Sequence, residues 1–209
     1  MKKSNEYFIN IISFILCTIL LLFFFDSYFG DYIRVRNMPQ INDYMYINNN
    51  KLINSQETSL LNECINELDE DIFKIYTNNN FVFCLTTEKE IKKINCAGLF
   101  SHLDKTIYIR SAYVYNKKTC NEILTHEIGH FIDYVTNYKI SKNKYVIADY
   151  NNQLANYNIN SNYSYYSLSN IDEFVAESYL IYITNPQLLP TNTRSVLENQ
   201  IKKIKEDFS

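Results

Sequence analysis

The sequence predicts an α+β domain: a helix-and-sheet N-terminal lobe, a central buried helix and a mostly helical C-terminal lobe. Three observations carry this. Leu60, Leu61, Cys64, Ile65, Leu68 and Ile72 recur at three-to-four-residue spacing with acidic residues opposite, the period of an amphipathic helix. Two short runs bounded by turn residues, Phe81 to Leu85 and Thr106 to Arg110, have strand character, and in the second Ile107 and Ile109 alternate with Tyr108 and Arg110. Thr125-His126-Glu127-Ile128-Gly129-His130 then sits among the uncharged residues Ile123, Leu124, Phe131 and Ile132, as a buried helix requires. At 209 residues the chain has room for one domain of ordinary size plus an extension.

The extension is N-terminal. Lys2 and Lys3 precede a nearly continuous apolar run from Phe8 to Phe25, interrupted only by Asn10, Ser13 and Thr18. A run of about 18 apolar residues is just long enough to span a membrane. Residues 1–30 are therefore expected to be an uncleaved signal anchor, with a cleaved signal peptide as the alternative. Either would put the domain outside the cytoplasm, held at the cell membrane or secreted. Residues 31–54, polar and Asn-rich, are expected to be a linker running into an early strand over Tyr44 to Ile47. Residues 55–209 are the expected folded domain.

Within it, a helix is expected from Ser55 to about Tyr76, then a turn at Asn78-Asn79-Asn80 and the strand Phe81 to Leu85. Thr87 and Glu90 mark a helical turn reaching Lys93. Asn95 to Ser101 and Thr106 to Arg110 form a hairpin around His102-Leu103-Asp104-Lys105, and the histidine-bearing helix follows from about Lys118 to Tyr138. A weaker helix over Tyr145 to Asn156 leads into a Tyr/Asn/Ser-rich loop, Tyr157 to Ser167. Ser169 is expected to cap the next helix, which Asn185-Pro186 ends. A last amphipathic helix, Thr193 to Phe208, turns Leu197, Ile201, Ile204 and Phe208 inward.

Net charge is −3 and no basic stripe appears, so nucleic acid is not an expected partner. Of the five cysteines, Cys17 lies in the apolar run. Cys64, Cys84, Cys96 and Cys120 lack C-x-x-C spacing and do not read as a zinc ribbon. They are isolated buried thiols, or disulfides if the domain is exported.

The chemistry lies in the H-E-x-x-H segment. On a helix, His126 and His130 share one face a turn apart, the separation needed to hold one metal ion from one side. Glu127 points slightly off that face and can take a proton from a zinc-bound water, so the motif supplies two ligands and a general base. A histidine six residues on would be the third ligand of another class, but Thr136 stands there. Glu173 and Glu177 are the remaining candidates. Two carboxylates on one face of an otherwise apolar helix are costly unless paired or metal-bound. Glu173 as third ligand leaves a fourth position open to water, and Glu177 can hydrogen-bond a ligand histidine and fix its tautomer. His102, the third histidine, is expected to be a solvated turn residue.

Glu-Phe-Val-Ala-Glu at 173–177, downstream of His-Glu-Ile-Gly-His and with a tyrosine seven residues before its first glutamate, resembles the catalytic domain of anthrax lethal factor. It is equally similar to the small secreted Pro-Pro endopeptidases. The resemblance covers about residues 55–209 and is strong at those two segments. It implies a zincin-like metallopeptidase in which Glu173 binds zinc, Glu177 supports the site and Tyr166 donates a hydrogen bond to the tetrahedral intermediate. Tyr163 and Tyr165 are close enough to take that place instead. Asp133, three residues after His130, matches an acidic residue common in the family. The chain has no tryptophan, which some Pro-Pro endopeptidases use near the cleft, so a proline-proline preference is not implied.

The expected protein is a Zn2+-dependent endopeptidase, a monomer acting on protein or peptide substrates outside the cytoplasm. It would touch the membrane through the N-terminal segment where that stays attached. The alternative is an exported, surface-anchored binding protein whose zinc is structural and which does not cleave.

Overall fold

The computed structural model describes residues 15–20, 34–48, 52–87, 96–157 and 162–208. Its architecture is α+β. Five strands, β1 Gln40–Asn42, β2 Met45–Ile47, β3 Val82–Thr86, β4 Gly98–Ser101 and β5 Thr106–Arg110, form one sheet in the order β1-β2-β3-β5-β4. The middle strands β2, β3 and β5 run parallel, and an antiparallel hairpin partner closes each side.

Side chains alternate strictly across this sheet. Met45, Ile47, Phe83, Leu85, Ile107 and Ile109 face the main core. Tyr46, Val82, Cys84 and Tyr108 face the opposite side, where Val35 and Met38 cover them. A strand buried on both faces reads as a continuous apolar run, which is why β3 does. The covering segment is fastened by Arg36, whose guanidinium donates to the carbonyls of Asn80, Asp104 and Lys105 and to Thr106 Oγ1. The expected strand over Tyr44 to Ile47 is β2, and the stretch expected to be a linker before it supplies a further strand, β1, and a strap beneath the sheet.

The helices are α1 Ser55–Asn66, α2 Glu70–Asn78, α3 Lys117–Val135, α4 Lys144–Ala155, α5 Ile171–Thr184 and α6 Thr191–Phe208. The single helix expected from Ser55 to Tyr76 is two. Apolar spacing carries through the break, but the Asp69 carboxylate accepts from the backbone N–H groups of Asp71 and Ile72 and starts a new helix. In α6, Leu197, Ile201 and Ile204 are buried, whereas Phe208 at the helix end lies beyond the core and is exposed. The α6 start is tied to α4 by Asp149, which accepts from the Thr193 backbone N–H and hydroxyl at 2.9 and 2.8 Å. The helical turn expected from Thr87 to Lys93 falls, beyond Thr87, outside the described residues.

A further expectation is corrected. Inside the apolar run, residues 15–20 are helical and exposed. Among the described residues no helix is long and apolar enough to cross a membrane. That overturns the expected extracytoplasmic placement through a signal anchor; the rest of the run lies outside the described residues. The cysteines Cys17, Cys64, Cys84, Cys96 and Cys120 are all free thiols, and Cys64 and Cys120 are buried in hydrogen-bond contact with each other between α1 and α3.

Asp133 has a structural task. Its Oδ1 accepts from the backbone N–H groups of Ile140 and Ser141, at 3.2 and 3.1 Å, pinning the loop between α3 and α4. Burial pushes its pKa up, and that outweighs the hydrogen bonds that favour the charged form. The folded state therefore holds this proton to higher pH than the unfolded chain, and its contribution to stability falls as pH rises from the unfolded value through the folded one. Asp133→Asn keeps the acceptor and removes the buried charge, so thermal melts at neutral pH are expected to show no loss of stability. Asp133→Ala strands two buried donors and is expected to cost about 1–3 kcal/mol.

Candidate metal centre

Packing decides which face of α3 meets α5. Cys120, Leu124, Ile128, Phe131 and Ile132 are fully buried, and His126 and His130 on the adjoining face are half-buried. Their rings stand 5.1 Å apart between centroids, near perpendicular. On α5 the side chain of Asn170, not Ser169, accepts from the backbone N–H groups of Asp172 and Glu173. Both residues are competent caps, but Asn170 holds the extended backbone that precedes the first turn, and Ser169 lies one step outside. Phe174, Val175, Ala176, Ser178, Tyr179 and Ile181 bury, and Glu173 and Glu177 turn toward the histidines.

The result is a convergent donor set. Glu173 Oε2 lies 3.1 Å from His126 Nε2 and 3.6 Å from His130 Nε2. Ligand atoms of His126, His130 and Glu173 all fall within 4.8 Å of one another. Glu177 Oε2 lies 3.3 Å from the other nitrogen of His126, Nδ1, which donates to it when protonated. Burial works against a charged His126, yet the hydrogen bonds to Glu173 and Glu177 outweigh it and carry its pKa up to about 10. Burial also opposes the Glu173 carboxylate, but the two imidazoles hold its pKa well below the usual carboxylate range. The pocket therefore favours positive charge, as a proton or as a metal ion. Two imidazole nitrogens and one carboxylate oxygen from one side fit zinc, whose catalytic sites use three protein ligands and keep one position open.

Glu127 is 6% exposed beside this cluster, and burial raises its pKa. It borders a cleft of about 330 Å³ whose walls include Ala97, Tyr113, Ile123, Tyr166 and Leu180. The three candidate tyrosines separate cleanly. Tyr163 is buried with its hydroxyl 2.8 Å from Ser178 Oγ, a core contact. Tyr165 points to solvent and packs edge-on against Tyr157. Tyr166 lines the cleft, its ring 6.4 Å from that of His126. Partial burial, then the Glu173 and Glu127 charges, raise its pKa and keep the hydroxyl proton in place for donation.

Asp133 is not drawn into the cluster; its hydrogen bonds go to the loop already described. His102 stacks on Tyr134 in the hairpin turn, 5.5 Å between centroids. Sequence reasoning passed over Gly98 and Phe100 of β4, both of which touch the site. The signal was available: the chain has only three glycines, and a glycine inside a strand marks a close approach. Comparison with protein-family models and with curated proteins returns no match to this chain.

If the cluster holds zinc, Glu177→Ala is expected to weaken that binding about 10–100-fold by freeing the His126 ring. Titration against a chromophoric chelator reads this directly; an unchanged affinity would make Glu177 a bystander.

Proposed function

We propose that the protein is a zinc-dependent endopeptidase with a zincin-like catalytic domain of the lethal factor type. The observation that carries this reading is the approach of Glu173, from a separate helix, to the Nε2 atoms of both motif histidines, with the Glu127 carboxylate buried alongside. His126, His130 and Glu173 would hold the ion. Bound there, zinc supplies Lewis acidity, polarising a carbonyl oxygen and lowering the pKa of water. Glu127 takes the proton of the attacking water, its affinity for that proton increased by burial, and passes it to the leaving amine. The Tyr166 hydroxyl donates to the developing oxyanion from the cleft wall, an effect on the order of a few kcal/mol for comparable donors.

The test is cleavage of a diverse peptide library by the purified chain, with zinc measured in the same sample. Cleavage at defined bonds, lost on chelation and restored by zinc, is the expected result. A zinc-loaded protein that cuts nothing would favour a structural ion and no turnover.

A further inference from the structure

We propose that the β4 segment Gly98–Phe100 is a positioning strand that seats the general base and one ligand histidine from above. The kinetic part of this rests on the peptidase reading; the stability part does not. Residues 98 and 100 lie on one face of β4 and residue 99 on the other, because side chains alternate along a strand. Leu99 accordingly packs against the outer cluster. The ring of Phe100 lies 6.4 Å from that of His130, at 16° to it, and closes over the imidazole. Its backbone N–H hydrogen-bonds the Glu127 carboxylate.

Position 98, next on the same face, is hollow by necessity. A Cβ added at Gly98 would lie 2.5 Å from Glu127 Oε1, 2.7 Å from its Cγ and 2.9 Å from its Cδ. The clash involves the stem of the side chain as well as its tip, so the carboxylate cannot escape by turning its end alone. Glu127 therefore occupies the space a side chain at 98 would fill, and any residue but glycine there displaces it. Gly98 touches no ligand atom in this scheme. It acts through Glu127.

The test combines Gly98→Ala with Glu127→Ala. Gly98→Ala alone is expected to lower kcat by about 10²-fold or more, the lower end of what general-base catalysis contributes, with little change in KM. Zinc affinity and the visible spectrum of the cobalt-substituted protein should stay as in the wild type, since His126, His130 and Glu173 are untouched. Melts should show Gly98→Ala losing at least about 3 °C in the wild-type background and almost nothing in the Glu127→Ala background, where the clash is gone. An equal loss in both backgrounds would overturn the proposal. So would full kcat in Gly98→Ala, or a double variant that fails to fold. If the wild type cleaves nothing, the peptidase reading fails while the melting cycle still decides this one.

Discussion

Glu127→Gln is expected to reduce kcat by roughly two to four orders of magnitude, the range for loss of a positioned general base, while zinc content stays at the wild-type level. The amide is nearly isosteric and still offers an oxygen to the Phe100 N–H that the carboxylate accepts. It cannot accept a proton from water at neutral pH. The three convergent donor atoms belong to His126, His130 and Glu173, so none is removed. Nor is a loss of fold a plausible cause of lost activity. Burial raises the pKa of Glu127, so the folded state disfavours its charged form, and an uncharged amide lifts that penalty. The melting temperature is expected to hold or rise. Steady-state rates on the best library peptide, read beside metal analysis and a thermal melt, separate the outcomes. Activity near the wild-type rate with zinc in place would remove Glu127 from the mechanism and, with it, the role of its seat in β4.

How far the sequence reveals this site depends on whether a residue's role is local or long-range. The α3 helix and its two histidines are legible because helical period and motif spacing are short-range. Glu173 is legible for a thermodynamic reason, since paired carboxylates on an apolar helix face demand a partner. The strand β2 is legible as the early strand over Tyr44 to Ile47, but its hairpin partner β1 is not. Residues 40–42 are polar enough to read as linker, and what makes them a strand is antiparallel pairing with β2, Gln40 with Tyr46 and Asn42 with Met45. The break between α1 and α2 is masked because apolar spacing continues across it, and only the fold shows the Asp69 carboxylate accepting from the Asp71 and Ile72 N–H groups. Ser169 and Asn170 are adjacent and equally suited to cap, so only backbone geometry decides between them. Tyr163, Tyr165 and Tyr166 sit in a loop without periodicity, where two residues separate the core Tyr163 from the solvent-facing Tyr165. The N-terminal anchor rests on hydropathy alone, and among the described residues no helix is long and apolar enough to cross a membrane.

Gly129→Ala is the substitution in which two physical effects oppose each other most directly, and crowding is expected to win. Alanine is favoured over glycine inside a helix by about 1 kcal/mol, so propensity alone predicts a more stable α3. A Cβ at 129, however, would lie 2.8 Å from both the Cα and the carbonyl oxygen of Ala176 and 3.0 Å from the Cβ of Tyr179. These atoms are backbone or rigidly attached to it, so no rotamer change relieves the contact and α5 must move away. Overpacking of this kind costs about 1–3 kcal/mol, enough to cancel or exceed the gain in propensity. The effect on the site is larger than the effect on stability. The displaced helix carries both Glu173 and Glu177, whose oxygens approach His126 to 3.1 and 3.3 Å. A shift of a few tenths of an ångström loosens a ligand and the group that orients its neighbour together, so zinc affinity is expected to fall at least on the order of tenfold. Ala176→Gly should not restore it, because the clash is with backbone atoms that glycine retains. A variant that melts higher than the wild type and binds zinc as tightly would show that propensity won, and that α3 and α5 hold the ligands together without this close approach.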